Sequence, residues 1–138
     1  DGDGSIVAVA EKSGRRRFPY RIKLRVNFTQ HIRYLEFMRA LQVALGGIGW
    51  LRKVSSHNLV ELVVIKRSDL EALLRRLLPH LIVKRRQAEI ALSMVDVYNA
   101  NLVKVRSSLS EKDFARLLAM AKQIRNLNSG SVGKQSIT

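Results

Sequence analysis

The chain has 138 residues, 46% of them hydrophobic, with 25 Lys and Arg against 11 Asp and Glu for a net charge of +14. This is enough apolar sequence for one domain with its own core, and there is no run of about 18 apolar residues to span a bilayer. The absence of cysteine excludes disulfides and thiolate zinc sites, so packing must hold the fold.

An excess of this size is best screened by a polyanion, because every basic group that neutralises a phosphate releases a counterion. Nucleic acid is therefore the expected partner, ahead of a membrane surface. No basic-then-apolar leader opens the chain, so an intracellular protein is expected, with organelle, cytoplasm and nucleoid equally open.

Ser5 to Ala10 is small, apolar and β-branched, predicting a strand, and Lys12 to Arg17 reads as an exposed basic loop. From Tyr20 to Phe28 the alternation is strict: Tyr20, Ile22, Leu24, Val26 and Phe28 fall on one face, Arg21, Lys23, Arg25 and Asn27 on the other. One face packs a core and the other is basic. Ile32, Leu35, Met38, Leu41 and Leu45 then recur at helical spacing until Gly46-Gly47, predicting a helix from Ile32 to Leu45.

Ile48 to Val54 and Leu59 to Ile65 form a second predicted hairpin around Ser55-Ser56-His57-Asn58. Ser68-Asp69-Leu70-Glu71 matches a capping box opening a helix that Pro79 ends near Leu78. A further helix is expected from Leu81 to about Tyr98. Another starts at Ser110-Glu111-Lys112-Asp113, with Phe114, Leu117, Leu118, Ala121, Ile124 and Leu127 as its apolar stripe. Residues 1–127 read as one domain and residues 128–138 as a flexible polar tail. The order predicts an α+β fold: an antiparallel sheet with helices on one face and a basic surface on the other.

Asp1-Gly2-Asp3-Gly4-Ser5-Ile6 is the most unusual local feature, since carboxylates alternating with glycines at a strand entrance suit a hard cation better than a core. Laid over an EF-hand loop, it puts Ala10 where the bidentate Glu must stand, which defeats that reading. Gly130 to Lys134 resembles a phosphate loop only faintly, with Asn128 and Gln135 in required positions. His31, His57 and His80 lack the spacing of a helical metal site.

Asp-Gly-Asp-Gly-Ser-Ile also resembles the closing half of the LAGLIDADG motif of intron-encoded homing endonucleases. Val26 to Gln30, Gly46 to Gly49, Leu81 to Ala88 and Gln123 to Asn128 are similar to further blocks of the homodimeric, single-motif members, in the same order. The resemblance implies an αββαββα homing-endonuclease fold whose saddle-shaped sheet lies in the major groove of double-stranded DNA. Because the chain begins at Asp1, the leading motif helix, which forms the homodimer interface, is expected to be missing from this chain, and a longer native protein to have been trimmed.

By the same resemblance Asp3 corresponds to the acidic metal ligand and Gly2 to a carbonyl that can join it, with Mg2+ as the cofactor. Gln30 and Lys84 correspond to residues that organise water and stabilise charge. The family often has an Arg shortly after the Gln; here Arg33 is the candidate, followed by Tyr34. Arg21, Lys23, Arg25 and Asn27 are expected to read bases, where Arg suits guanine and Asn adenine. Arg15, Arg16 and Arg17, with Lys53 and His57, are expected at phosphates or flanking bases, and Arg52 at either. The implied activity is a site-specific double-strand break at a long pseudo-palindromic site by metal-dependent hydrolysis. An intron RNA maturase or transcription factor on the same fold, or a basic ribosomal-type module, would need the basic sheet without Asp3.

Overall fold

The computed structural model describes residues 4–12, 20–102 and 110–137. Asp1, Gly2 and Asp3, and the loop arginines Arg15, Arg16 and Arg17, lie outside the described residues.

Strand β1 (Gly4–Lys12) pairs antiparallel with β2 (Tyr20–His31), Ile6 opposite Val26 and Ala8 opposite Leu24. β2 runs three residues beyond the predicted Phe28, because β4 (Leu59–Val64) pairs with its second half as far as His31 opposite Leu59. β3 (Trp50–Val54) closes the other edge, giving the order β1-β2-β4-β3, antiparallel throughout.

The expected first helix splits in two. A 3-10 turn covers Ile32–Tyr34, and α1 runs Leu35–Ala44. Gly46 and Gly47 take positive φ in the turn to β3, as their pairing predicted, and Gly49 does so too.

Helix α2 (Arg67–Leu77) starts one residue before the predicted cap. Its N-cap is Lys66, whose carbonyl accepts from Leu70, and no side chain caps it. Ser68 therefore lies inside the first turn, and the expected capping box is not formed. Pro79 sits in a 3-10 turn over Leu78–His80, where its missing N–H costs nothing. α3 (Arg85–Leu102) begins four residues later than Leu81, because Leu81 is extended and exposes Ile82 and Val83 in the turn that follows.

The second predicted helix start holds: the Ser110 hydroxyl accepts from Asp113 N at 3.1 Å, and α4 runs Glu111–Ile137. Its helical backbone continues ten residues past Leu127, through what reads in sequence as a polar tail and through Gly130 to Lys134. Asn128, the first residue of that stretch, donates from Nδ2 to the Ile6 carbonyl at 2.9 Å.

All four helices pack on one face of the sheet. Ile6, Ala8, Ile22, Leu24, Val26 and Val64 meet Leu70, Leu73 and Leu74 of α2, Ala88, Ala91, Met94 and Val95 of α3, and Leu117, Ala121 and Ile124 of α4. Met38 of α1 closes a smaller cluster over Val60 and Leu62. Burying one such Leu or Val contributes about 1.5–3 kcal/mol. Among the described residues no helix is long and apolar enough to cross a membrane.

Tyr98 ties α3 to the sheet. β4 reaches only the second half of β2, so at Ile22 the strand has β1 alone beside it. The Tyr98 hydroxyl donates to the Ile22 carbonyl at 2.6 Å, and the Arg67 guanidinium lies 4.4 Å from its ring centre. Burial pushes the hydroxyl above its ordinary pKa, against the lowering effect of Arg67 and Arg21. Ionisation is thus easier in the unfolded chain, and stability should fall as pH rises through about 10. Tyr98→Phe is expected to cost about 1 kcal/mol at neutral pH and to flatten that alkaline slope, as urea unfolding at both pH values will show.

Candidate functional site

The sheet and the turns after it bring Gln30, Lys53, Arg33 and His57 toward one end. Gly4 opens β1 opposite Phe28, and Gln30 follows two residues further along β2. Gln30 pairs with Val60, and Val60 with Lys53, so these three share a row on the helix-facing side. Arg33 occupies the 3-10 turn that follows β2. That turn is held by His31, whose Nδ1 accepts from Arg33 N at 3.1 Å, and by Ile32 N, which donates to the Asn58 carbonyl at 2.8 Å. Asn58 takes the left-handed conformation just after the turn carrying His57, so Arg33 and His57 stand on adjoining turns.

Lys84 reaches the same end from the helical layer. Its carbonyl accepts from Ala88 N at 3.0 Å, making it the residue that caps α3 rather than one within the helix. Its ammonium donates to the Gly4 carbonyl. The contact spans 80 residues of sequence and puts a half-buried cation on the residue covalently joined to Asp3. A cavity of about 30 Å³ lies beside it, lined by Gly4, Ile6, Phe28, Leu74, Leu81 and Lys84 among others.

No cluster of three His, Cys, Asp or Glu suited to a metal occurs among the described residues. The residues just ahead of Gly4 in the sequence, Asp1 and Asp3, carry carboxylates, which are hard oxygen donors, and the chain has no cysteine. That donor set fits magnesium.

The sheet's open face is less basic than the alternation suggested. Arg21 and Arg25 are exposed and carry no ion pair among the described residues. Lys23 pairs with Glu11 at 3.0 Å, and Arg52 with Glu61 at 2.5 Å across β3 and β4. Lys53 alternates to the helix-facing side, and Arg33 stacks 5.2 Å from the Tyr34 ring centre. Asn27 departs most from expectation. It belongs to the open face but is only 7% exposed, and its Oδ1 is buried with no hydrogen-bond partner among the described residues. Sequence reading also missed Trp50, which the alternation of β3 puts on the open face with Arg52 and Val54.

The result is an α+β architecture: a four-stranded antiparallel sheet with helices covering one face and the Lys84 ammonium bracing the entrance of its first strand. Comparison with known proteins agrees. The sequence profile described as LAGLIDADG endonuclease matches residues 1–88, and the chain belongs to that family, whose members are DNA endonucleases. No curated protein sequence matches it.

Among solved structures, homing endonuclease I-CvuI, in complex with the I-CreI target in the presence of magnesium with the DNA not cleaved, superposes with a TM-score of 0.77 at 22% identity, over 91% of this chain and 74% of that one. I-SmaMI bound to uncleaveable DNA gives 0.75 at 20% identity, over 87% of this chain and 39% of that one. Homing endonuclease I-TnaI gives 0.74 at 16% identity, over 94% and 90%. At these identities the structures establish the fold.

Proposed function

We propose that the protein is a site-specific DNA endonuclease that makes a double-strand break at a long pseudo-palindromic site as a homodimer, using magnesium. The observation that carries this reading is the Lys84 ammonium on the Gly4 carbonyl, which joins two sequence-distant positions of the family resemblance at one end of the sheet. Asp3 and the Gly2 carbonyl would hold the metal. Bound there, magnesium supplies Lewis acidity toward the scissile phosphate and lowers the pKa of the attacking water.

The chain's own side chains do the remaining work. Lys84, braced by Gly4, brings its ammonium to the phosphate and stabilises the charge that builds on its oxygens. Gln30 offers an amide that orients water without taking its proton. Arg33 stabilises phosphate charge from the adjoining turn, while Arg21, Lys23, Arg25 and Arg52 engage the groove and backbone from the open face. The two open-face ion pairs exchange their carboxylates for phosphate on binding.

Binding should therefore be steeply salt-dependent. For about six phosphate contacts, affinity for duplex DNA is expected to fall about a thousandfold between 50 and 200 mM salt, measured by fluorescence polarisation in calcium. A dependence of less than tenfold contradicts the open-face reading.

A further inference from the structure

We propose that Asn128 and Gln87 are positioning residues for the metal site: their amides form a bridge that fixes the entrance of β1, and with it Asp3, against Lys84. The inference rests on the endonuclease reading above and assigns the residues that hold its acidic segment in place.

Two bonds make the bridge. Asn128 of α4 donates from Nδ2 to the Ile6 carbonyl at 2.9 Å, and Gln87 of α3 donates from Nε2 to Asn128 Oδ1 at 3.4 Å. Their direction is set from the strand outward. A carbonyl can only accept, so Asn128 must turn its amide nitrogen to Ile6 and its oxygen to Gln87, which must then present its own nitrogen. Lys84 stands one turn before Gln87 at the start of α3, on the same side of the helix, and donates to the Gly4 carbonyl. Carbonyls two residues apart in a strand point the same way, so α3 and α4 hold one side of β1 at Gly4 and again at Ile6.

Stability does not account for the bridge. Gln87 is 4% exposed and its Oε1 is buried with no hydrogen-bond partner among the described residues, which costs free energy. The core residues that α3 and α4 supply are otherwise apolar, Ala88, Ala91, Leu117, Ala121 and Ile124 among them. An apolar pair of the same shape in place of the amides would be about as stable, but it would not specify which carbonyl of β1 each helix meets. What the amides add is register where the chain leaves Asp3. Asp3 is joined to Gly4, whose carbonyl carries the cation that is to meet the phosphate. A displacement of about 1 Å at such a point is enough to cost about 100-fold in rate.

Manganese is titrated into the full-length protein on the duplex it cuts, and bound ion is read from the loss of the free-ion paramagnetic resonance signal. Asn128→Leu, which keeps the volume of the side chain and removes both bonds, should weaken manganese binding by about tenfold or more, as loss of a supporting partner of a metal ligand does. Tyr98→Phe is the control. It also removes a side-chain bond to a strand carbonyl, at Ile22 opposite Ala10, the far end of β1 from Gly4. It should bind manganese as the native protein does while losing comparable stability to urea. The double variant Gln87→Met/Asn128→Leu, an apolar pair of similar shape, should keep its stability and show the same loss of metal. Native manganese affinity in either Asn128 variant, or an equal loss in Tyr98→Phe, overturns the proposal and leaves the endonuclease reading intact. A native protein that cuts no duplex, or that binds no more manganese than the DNA alone, overturns that reading and this proposal with it.

Discussion

Asp3→Asn in the full-length protein is expected to lower magnesium-dependent DNA cleavage by more than about 100-fold, since even the outer partners of metal ligands are worth 10–100-fold. The substitution keeps the shape of the side chain and removes the charge that holds a hard cation. Affinity for DNA in calcium should change by less than about threefold, because most of the groups proposed to meet phosphate lie on the open face and its flanking turns, away from Asp3 in the sequence. Single-turnover cleavage and equilibrium binding, measured side by side, separate the two effects. Loss of both together would mean that Asp3 holds the fold rather than the metal. Cleavage within about threefold of the native rate would remove Asp3 from the site altogether.

Gly49→Ala is expected to destabilise the fold by about 3 kcal/mol, combining the left-handed penalty with a forced backbone shift. Gly49 has φ +69°, and a Cβ there would stand 2.4 Å from the Val63 carbonyl oxygen and 3.0 Å from a Val64 methyl. The obstructing atom is backbone in a paired strand, so β3 and β4 must part to admit it. Gly46 is the internal control: its φ is +89°, but nothing lies within 4 Å of its Cβ position. Gly46→Ala should therefore cost only the conformational term, about 1 kcal/mol. Urea unfolding of the two variants measures the difference, and equal losses would show that the close approach at Gly49 relaxes freely.

Much of this fold is readable from alternation and punctuation. The strict period of Tyr20 to Phe28 puts Ile22, Leu24 and Val26 in the core as expected, and the paired glycines end α1 where they should. Three of the sequence blocks that carry the family resemblance also meet in space. Gln87 of the Leu81 to Ala88 block donates to Asn128 of the closing helix at 3.4 Å, and Asn128 donates to the Ile6 carbonyl beside the acidic motif. Side chains that seem polar and idle in one dimension are there joining two helices to the first strand.

What the sequence hides depends on contacts across it. Alternation assigns Asn27 to the open face correctly, but no local pattern in the sequence shows that it is buried there. The same holds for Glu11 and Glu61, which neutralise Lys23 and Arg52 only once strand register is fixed. The Ser68 to Glu71 string satisfies the capping pattern, yet the chain leaving β4 starts α2 at Arg67, so the hydroxyl falls inside the helix. Lys84 looks like one member of a solvated basic run until α2 and α3 turn it onto Gly4. Local strings specify residue types, whereas pairing decides which of them remain available.

The most direct test of DNA cleavage is to incubate the full-length protein with a pool of randomised duplexes in magnesium and to sequence every new end. A metal-dependent endonuclease of this family should yield paired breaks on both strands within one long, nearly palindromic sequence, and chelation of the metal should abolish them. Retention of duplex DNA from the same pool, with no strand cut in magnesium or manganese, would contradict the assignment and leave a protein that binds DNA without cleaving it.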